Sequence, residues 1–405
     1  MRHDRSLLAV YVLLGTIGLS GTSIADHSLT AGDNAFGFKL IHQLLKDQPV
    51  TNISISPYSA ATVLHMVGSG AEGTTKTEMQ QVLETTGLSS KEVGAANKEI
   101  AQSLTSASSH VILTTANAIW YRQKTPIKPA FISANRQFYG ATVEELNFTH
   151  PCALDIINTW ASDKTQGKIK RLADGMIDPE TTRLFLANAI YFKGKWSKPF
   201  LVKDTKNQTF HLHGGGEKLI PMMRESTHLD YREGSGYQAV RLPYDGDNLG
   251  MYVFLPDSSS SPEILLAKLS GSTWQHEIKS GFRYREGTLV LPQFKIEYSV
   301  ELREPLQSLG MRAAFDASTA NFSGIAPGLF ISAARQKTFV EVNEEGTEAA
   351  AVTAVTPSLT ALTPRFEMIV DRPFLFLIED KQTQMILFMG VVFDPMSDNW
   401  IERSH

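Results

Sequence analysis

Residues 344–355 read Glu344-Glu345-Gly346-Thr347-Glu348-Ala349-Ala350-Ala351-Val352-Thr353-Ala354-Val355, directly after the apolar run Phe339-Val340-Glu341-Val342. The stretch continues through Thr356-Pro357-Ser358-Leu359-Thr360-Ala361-Leu362-Thr363-Pro364 without a charge. Local propensity lets Thr347-Glu348-Ala349-Ala350-Ala351 open a short surface helix, alanine being the best helix former. Alternation offers a second assignment. Thr347, Ala349, Ala351, Thr353 and Val355 fall on one face of a strand, all small or β-branched. Such a face can slip between two existing strands without opening large cavities, and Gly346 is a hinge free to adopt unusual backbone angles. The segment reads either as a surface helix or as a strand held out of its sheet.

The surrounding chain has the composition of a globular protein: 405 residues, 42% hydrophobic and 20% charged. That is enough for a large core and excludes disordered, collagenous and coiled-coil chains. Lys and Arg number 38 against 42 Asp and Glu, a formal charge of −4, and there is no long basic run. Nothing in this balance points to nucleic acid or to an anionic membrane surface, and a monomer is expected. The polar, mostly basic Met1–Arg5, the uncharged Leu7–Leu19 and the small residues of Ser23-Ile24-Ala25 have the layout of an export signal over residues 1–25. The apolar run is shorter than the ~20 residues a bilayer span needs. Secretion is therefore expected, outside the cell or to a periplasm or cell surface in a bacterium. Cys152 is the only cysteine, so no internal disulfide is available. Its position near a helix start favours a structural role. Asn-x-Ser/Thr triplets begin at Asn52, Asn147, Asn207 and Asn321, with Asn52 the poorest acceptor because it adjoins a buried strand.

Apolar spacing of three and four predicts a helix from Asp33 to Leu45 behind an Asp33/Asn34 cap. Ile53–Ser56 is a short strand running into a helix that Ser56 caps and Pro57 opens. Thr75-Lys76-Thr77-Glu78 has capping-box spacing, and 155–172 is helical in pattern. Two segments look alike: Thr115-Ala116-Asn117-Ala118-Ile119-Trp120-Tyr121 and Leu186-Ala187-Asn188-Ala189-Ile190-Tyr191-Phe192. Both are apolar on both faces, as neighbouring inner strands of one sheet would be. Later strands are expected at 251–255, 288–291, 330–342, 374–378 and 386–393. Helices early and strands late argue for an α+β fold, in one domain from about residue 30 to 396 within 26–405.

Enzymatic motifs are not found. Gly-x-Ser-x-Gly, His-Glu-x-x-His and the phosphate-binding Gly-x-x-x-x-Gly-Lys-Ser/Thr do not occur. His211 and His213 share a face and could approach one metal, but a solvent-facing pair beside Gly214-Gly215-Gly216 is the simpler assignment, since no third ligand is evident. The chain is not expected to be an enzyme, and no cofactor is implied.

Motifs along almost the whole mature chain resemble the serpin family. Glu344–Thr353 is similar to the serpin hinge nearly residue for residue, and Asn52-Ile53-Ser54-Ile55-Ser56-Pro57-Tyr58-Ser59 to its first shutter segment. Asn188–Phe200, with Gly194-Lys195-Trp196, resembles the family's Asn-Ala-Ile-Tyr-Phe-Lys-Gly-x-Trp block. Pro221-Met222-Met223, Leu242-Pro243-Tyr244, Leu291-Pro292, Asn321–Ile325 and Asp371–Phe376 follow in family order.

The resemblance implies an α+β fold of three β-sheets and eight to nine helices with an exposed reactive-centre loop, here about 344–365. It implies a suicide inhibitor of serine proteases: the protease attacks the loop, and the cleaved loop enters the large sheet and traps the acyl-enzyme. The hinge would be Glu344, Glu345, Gly346, Thr347, Glu348, Ala349, Ala350, Ala351 and Thr353. The shutter and breach would involve Ser56, Ser59, Asn188, Trp196 and Gln336. Family spacing, roughly fourteen residues beyond Gly346, puts the scissile bond at Thr360–Ala361. Small residues there suit an elastase- or subtilisin-like target, while Leu359 or Leu362 would suit a chymotrypsin-like one. No Lys or Arg lies between Glu348 and Arg365, which disfavours a trypsin-like target. The alternative is a non-inhibitory serpin acting as carrier, chaperone or protease substrate, but hinges of that kind usually carry bulky or charged residues or proline, unlike Ala349-Ala350-Ala351.

Three departures stand out. Gln336 replaces the usual shutter histidine; it can bond Ser56, Ser59 or Asn188 but cannot titrate. Gln293 replaces a lysine that often faces the hinge glutamate Glu344, so a hydrogen bond is available and an ion pair is not. Pro357 would lose a ladder bond near the far end of an inserted strand.

Overall fold

A computed structural model describes residues 24–106, 111–174, 177–345 and 365–397. The first six helices are α1 (Ile24–Asp47), α2 (Pro57–Gly68), α3 (Gly73–Val82), α4 (Ser90–Ser106), α5 (Pro129–Tyr139) and α6 (Ala153–Lys164). The strands are β1 (Ile53–Ile55), β2 (Val111–Arg122), β3 (Thr142–Leu146), β4 (Leu184–Gly194), β5 (Lys206–His211), β6 (Glu217–Gly234) and β7 (Tyr237–Pro243). They continue with β8 (Leu249–Pro256), β9 (Arg283–Pro292), β10 (Phe294–Glu301), β11 (Ile331–Val342), β12 (Phe366–Ile369), β13 (Phe374–Asp380) and β14 (Ile386–Val392).

One sheet has the order β10-β11-β4-β2-β3. The look-alike segments are indeed neighbours in it, β2 and β4 running antiparallel with Asn117 opposite Asn188. At the centre of this sheet β4 and β11 pair in parallel, from Ile331 opposite Leu184 to Val340 opposite Phe192, as β2 and β3 do at its edge. The remaining strands form a nine-stranded assembly, β1-β14-β13-β8-β7-β6-β9-β12, with β5 on β6. A third, separate sheet is not distinguished because the long β6 pairs with β5 near its start, β9 through its middle and β7 at its end, joining the groups.

α2 is buried along almost its whole length and packs against β14, β2 and β4. Its start follows the expected logic: Ser56 accepts the Ser59 N–H, and Pro57 occupies the first turn, where no N–H is needed. α6 covers the opposite face of the five-stranded sheet, laying Ala153, Ile157 and Ala161 on Ala187, Ala189, Tyr191, Ala333 and Phe339.

Three local expectations are corrected. α1 begins at Ile24 rather than behind Asp33 and Asn34, both of which lie buried inside the helix. Their side chains serve tertiary partners: Asp33 bonds His65, while Asn34 donates to the Gln384 carbonyl and accepts from the Ile386 N–H. α3 begins at Gly73 without a side-chain cap. Thr75 Oγ1 accepts from the Asn321 N–H and Glu78 from Arg312 and Ala313, so that pair caps other segments. α6 stops at Lys164, short of the expected 155–172, because Gln166 and Gly167 take positive φ, 54° and 77°, and turn the chain back over the sheet. Ile24 and Ala25 are α1 residues; the rest of the expected export signal lies outside the described residues. Among the described residues no helix is long and apolar enough to cross a membrane.

Candidate functional site

Beneath the β4–β11 pair lies a buried cluster of neutral polar side chains. Ser56, Ser59, Asn188 and Gln336 are all closed to solvent. Gln336 sits mid-β11 directly opposite Asn188 on β4. Its Oε1 accepts the Ser56 N–H at 3.1 Å, and its Nε2 donates to Ser56 O at 3.0 Å and Asn188 Oδ1 at 2.7 Å. Asn188 Nδ2 in turn donates to Ser59 O at 3.1 Å, to Ser59 Oγ and to Asn117 Oδ1. One residue pair further up, Thr338 Oγ1 reaches Ser54 O at 2.8 Å. These bonds tie β11 to α2, α2 to β4, and β4 to β2. Each typically contributes about 0.5–1.5 kcal/mol, and a lost partner costs more because the orphaned group has no water.

A second cluster holds the chain where it leaves β11. The Trp196 indole N–H donates to Asn343 O at 2.9 Å, and the ring stacks on Tyr244 with centroids 4.5 Å apart. Backbone N–H groups of Trp196 and Phe200 donate to Glu345 O and Glu344 O. The Glu344 side chain, only 8% exposed, takes one neutral donor on each oxygen: Thr205 Oγ1 at 2.6 Å and Gln293 Nε2 at 2.7 Å. Burial pushes the Tyr244 phenol well above its ordinary range, so the ring under Trp196 is neutral.

The structure thus brings Ser56, Ser59, Asn188 and Gln336 into one cluster and Trp196, Glu344 and Glu345 into another. Gly346, Thr347, Glu348, Ala349, Ala350, Ala351, Thr353, Leu359, Thr360, Ala361 and Leu362 lie outside the described residues. Pro357 does too. The two histidines separate: His211 faces Glu217, with Nδ1 and Oε1 3.2 Å apart, and His213 packs edge-on against Phe393. Among the described residues no group of three metal-ligating side chains occurs. Cys152 is exposed at the N-cap of α6. Asn52 is buried and its side chain is taken by Phe393 N, Asp394 N and Asp394 O.

Asn117, Thr338, Thr205, Phe200 and Tyr244 complete these clusters without having been singled out. Asn117 carried a signal, as the counterpart of Asn188 in the repeated segment. Thr205 carried none, being 139 residues from Glu344 in an irregular stretch.

The comparisons agree with this architecture. A family model described as Serpin (serine protease inhibitor) matches residues 31–395. The chain belongs to the serpin family. Glia-derived nexin of Rattus norvegicus is 34% identical over 402 residues, covering 95% of this chain and 98% of that protein. Leukocyte elastase inhibitor of Bos taurus is 34% identical over 379 residues, covering 91% and 99%. Among solved structures, native protease nexin-1 with heparin superposes with a TM-score of 0.82 at 33% identity, covering 91% of this chain and all of that one. The thermophilic serpin tengpin in its native state gives 0.82 at 27% identity, covering 92% and 95%.

Proposed function

We propose that this serpin is a secreted, single-use inhibitor of serine proteases that traps its target by inserting the cleaved loop between β4 and β11. The observation that carries this reading is the parallel pairing of those two strands. A segment that follows β11 and turns back at Gly346 runs antiparallel to β11, and therefore antiparallel to β4 as well. Insertion replaces one parallel ladder with two antiparallel ones, which are slightly more stable per residue. The alternating Thr347, Ala349, Ala351, Thr353 and Val355 present small or β-branched side chains to the face that α6 covers or to its opposite.

The chemistry belongs to the protease, whose serine forms an acyl-enzyme with the residue before the cleaved bond. The inhibitor supplies the free energy released when an unpaired segment gains ladder bonds and burial. Inserting ~15 residues at ~3.3 Å each carries the attached enzyme on the order of 50 Å. Thr360–Ala361 is the proposed bond, directed at elastase- or subtilisin-like enzymes, with Leu359 or Leu362 serving a chymotrypsin-like one. The names of similar proteins, an elastase inhibitor among them, support a protease as partner.

Incubation with elastase-, subtilisin- and chymotrypsin-like proteases is expected to yield a covalent complex that survives boiling in detergent, and sequencing the released fragment identifies the bond. Loop cleavage by every enzyme with no such complex refutes inhibition. A complex with a trypsin-like enzyme cleaving at Thr360 refutes the specificity.

A further inference from the structure

After the reversal at Gln166 and Gly167, residues 168–174 return across the five-stranded sheet as a strap. α6 holds it from one side: Asn158 Oδ1 accepts the Leu172 and Ala173 N–H groups at 2.8 and 2.9 Å, and Thr165 Oγ1 accepts that of Ile169 at 3.0 Å. β11 holds it from the other. Lys337 Nζ donates to Arg171 O at 2.6 Å, and Arg335 pairs with Asp174 at 2.9 Å. Ile169 and Leu172 are buried beneath it. One side chain of the strap reaches both central strands. Lys168 Nζ lies 5.8 Å from the ring centroid of Tyr191 on β4 and 5.9 Å from that of Phe339 on β11. Those two residues are direct register partners across the seam, and their rings meet edge to face at 5.6 Å.

We propose that Lys168 is a positioning residue of the β4–β11 seam, an ammonium staple that favours the closed pair from outside the sheet. A cation is attracted to a ring face within ~6 Å of its centroid. A strand inserted between β4 and β11 moves Tyr191 and Phe339 apart by about one further strand spacing, ~4.8 Å. A single ammonium already near 6 Å from both rings then loses at least one of them. Lys168 thus stabilises the closed seam more than the parted one. Its consequence for inhibition rests on the function proposed above; its geometry does not. Lys295 on β10 provides a control, since it lies 5.1 Å over Phe339 and, among the described residues, over no β4 ring.

The test is hydrogen exchange of backbone amides 185–192 and 333–340 in the intact full-length chain and in Lys168→Met, Lys168→Arg and Lys295→Met. Met keeps the stem and removes the charge, whereas Arg keeps a cation. Lys168→Met is expected to speed exchange at the seam about two- to five-fold while β6 and β9 amides keep wild-type rates, the fold-change equivalent to one exposed cation–ring contact. Lys168→Arg and Lys295→Met are expected to match wild type. Unchanged exchange in Lys168→Met, equal acceleration in β6 and β9, or acceleration that Arg fails to rescue overturns the staple. Covalent trapping is read separately. A shifted seam in a chain that traps no protease retires the inhibitory reading and leaves the staple, and trapping with an unshifted seam does the reverse.

Discussion

The amide of Gln336 satisfies three partners at once, Ser56 N–H, Ser56 O and Asn188 Oδ1, in a space closed to water. Gln336→Leu would orphan all three, each at about 1–3 kcal/mol. The expected loss is about 3 kcal/mol by urea denaturation, and a change below about 1 kcal/mol would show that the cluster adds little. Because Ser54, Ser56, Ser59, Asn117, Asn188, Gln336 and Thr338 do not ionise near neutrality, Gln336→His should introduce a stability change between pH 5 and 8 that wild type lacks at this site. A fully buried ionisable pair lies instead at Asp33 and His65, 2.8 Å apart and joining α1 to α2. Burial raises the Asp33 carboxyl, His65 offsetting part of that. The folded chain therefore holds this proton more tightly than the unfolded one. The stabilising contribution is full below the unfolded carboxylate value of about 4 and fades as pH rises through the raised folded value. Asp33→Asn should remove that fading, so the difference in urea midpoint between variant and wild type should shift in favour of the variant as pH rises. A pH-independent difference would contradict the assignment. Asp33 also shows why residue roles are only partly legible. The sequence permits it to cap a helix, and only the fold reveals that its partner is His65.

Among elements, the most apolar strands are legible in the sequence, whereas β3, β5, β6, β7, β10 and β12 are not among those expected from it. β4, β8, β13 and β14 announce themselves as apolar runs because both faces are buried. Helix starts depended on polar residues whose partners lie far away in sequence, as Thr75 and Glu78 illustrate. The end of β11 was legible in half. The approach of Gln293 to Glu344 follows from the family likeness, whereas nothing in the sequence pairs Thr205 with Glu344. The latch on Glu344 is neutral, which makes it tunable. Gln293→Lys would turn the present amide–carboxylate hydrogen bond into an ion pair. It should stabilise the intact chain by about 1 kcal/mol and increase the fraction of loop cleaved without trapping. Electrophoresis of inhibitor with increasing protease measures that fraction, and an unchanged or smaller one would show that Glu344 does not limit hinge release. Thr347→Arg should convert inhibitor to substrate, because a charge would have to enter the sheet; undiminished covalent trapping would rule that out.

For the molecule as a whole, β4 and β11 pair directly, and the inhibitory function proposed above requires that a nicked chain have a better-paired arrangement to move to. Cutting near Thr360 should therefore raise the melting temperature, and equal melting temperatures for intact and nicked protein would exclude a stored-energy mechanism. Pro357 should temper the gain by one ladder bond, so Pro357→Ala should widen it by about 1 kcal/mol or less, as read by calorimetry of the nicked forms.

Cys152 sits at the solvent-facing start of α6, the helix whose far end leads into residues 168–174. Being the sole thiol, it accepts a maleimide dye with no engineered background to remove. A fluorophore there would report whether the sheet's covering layer shifts, and, on the inhibitory function proposed above, stopped-flow traces would time that shift against the protease's own deacylation.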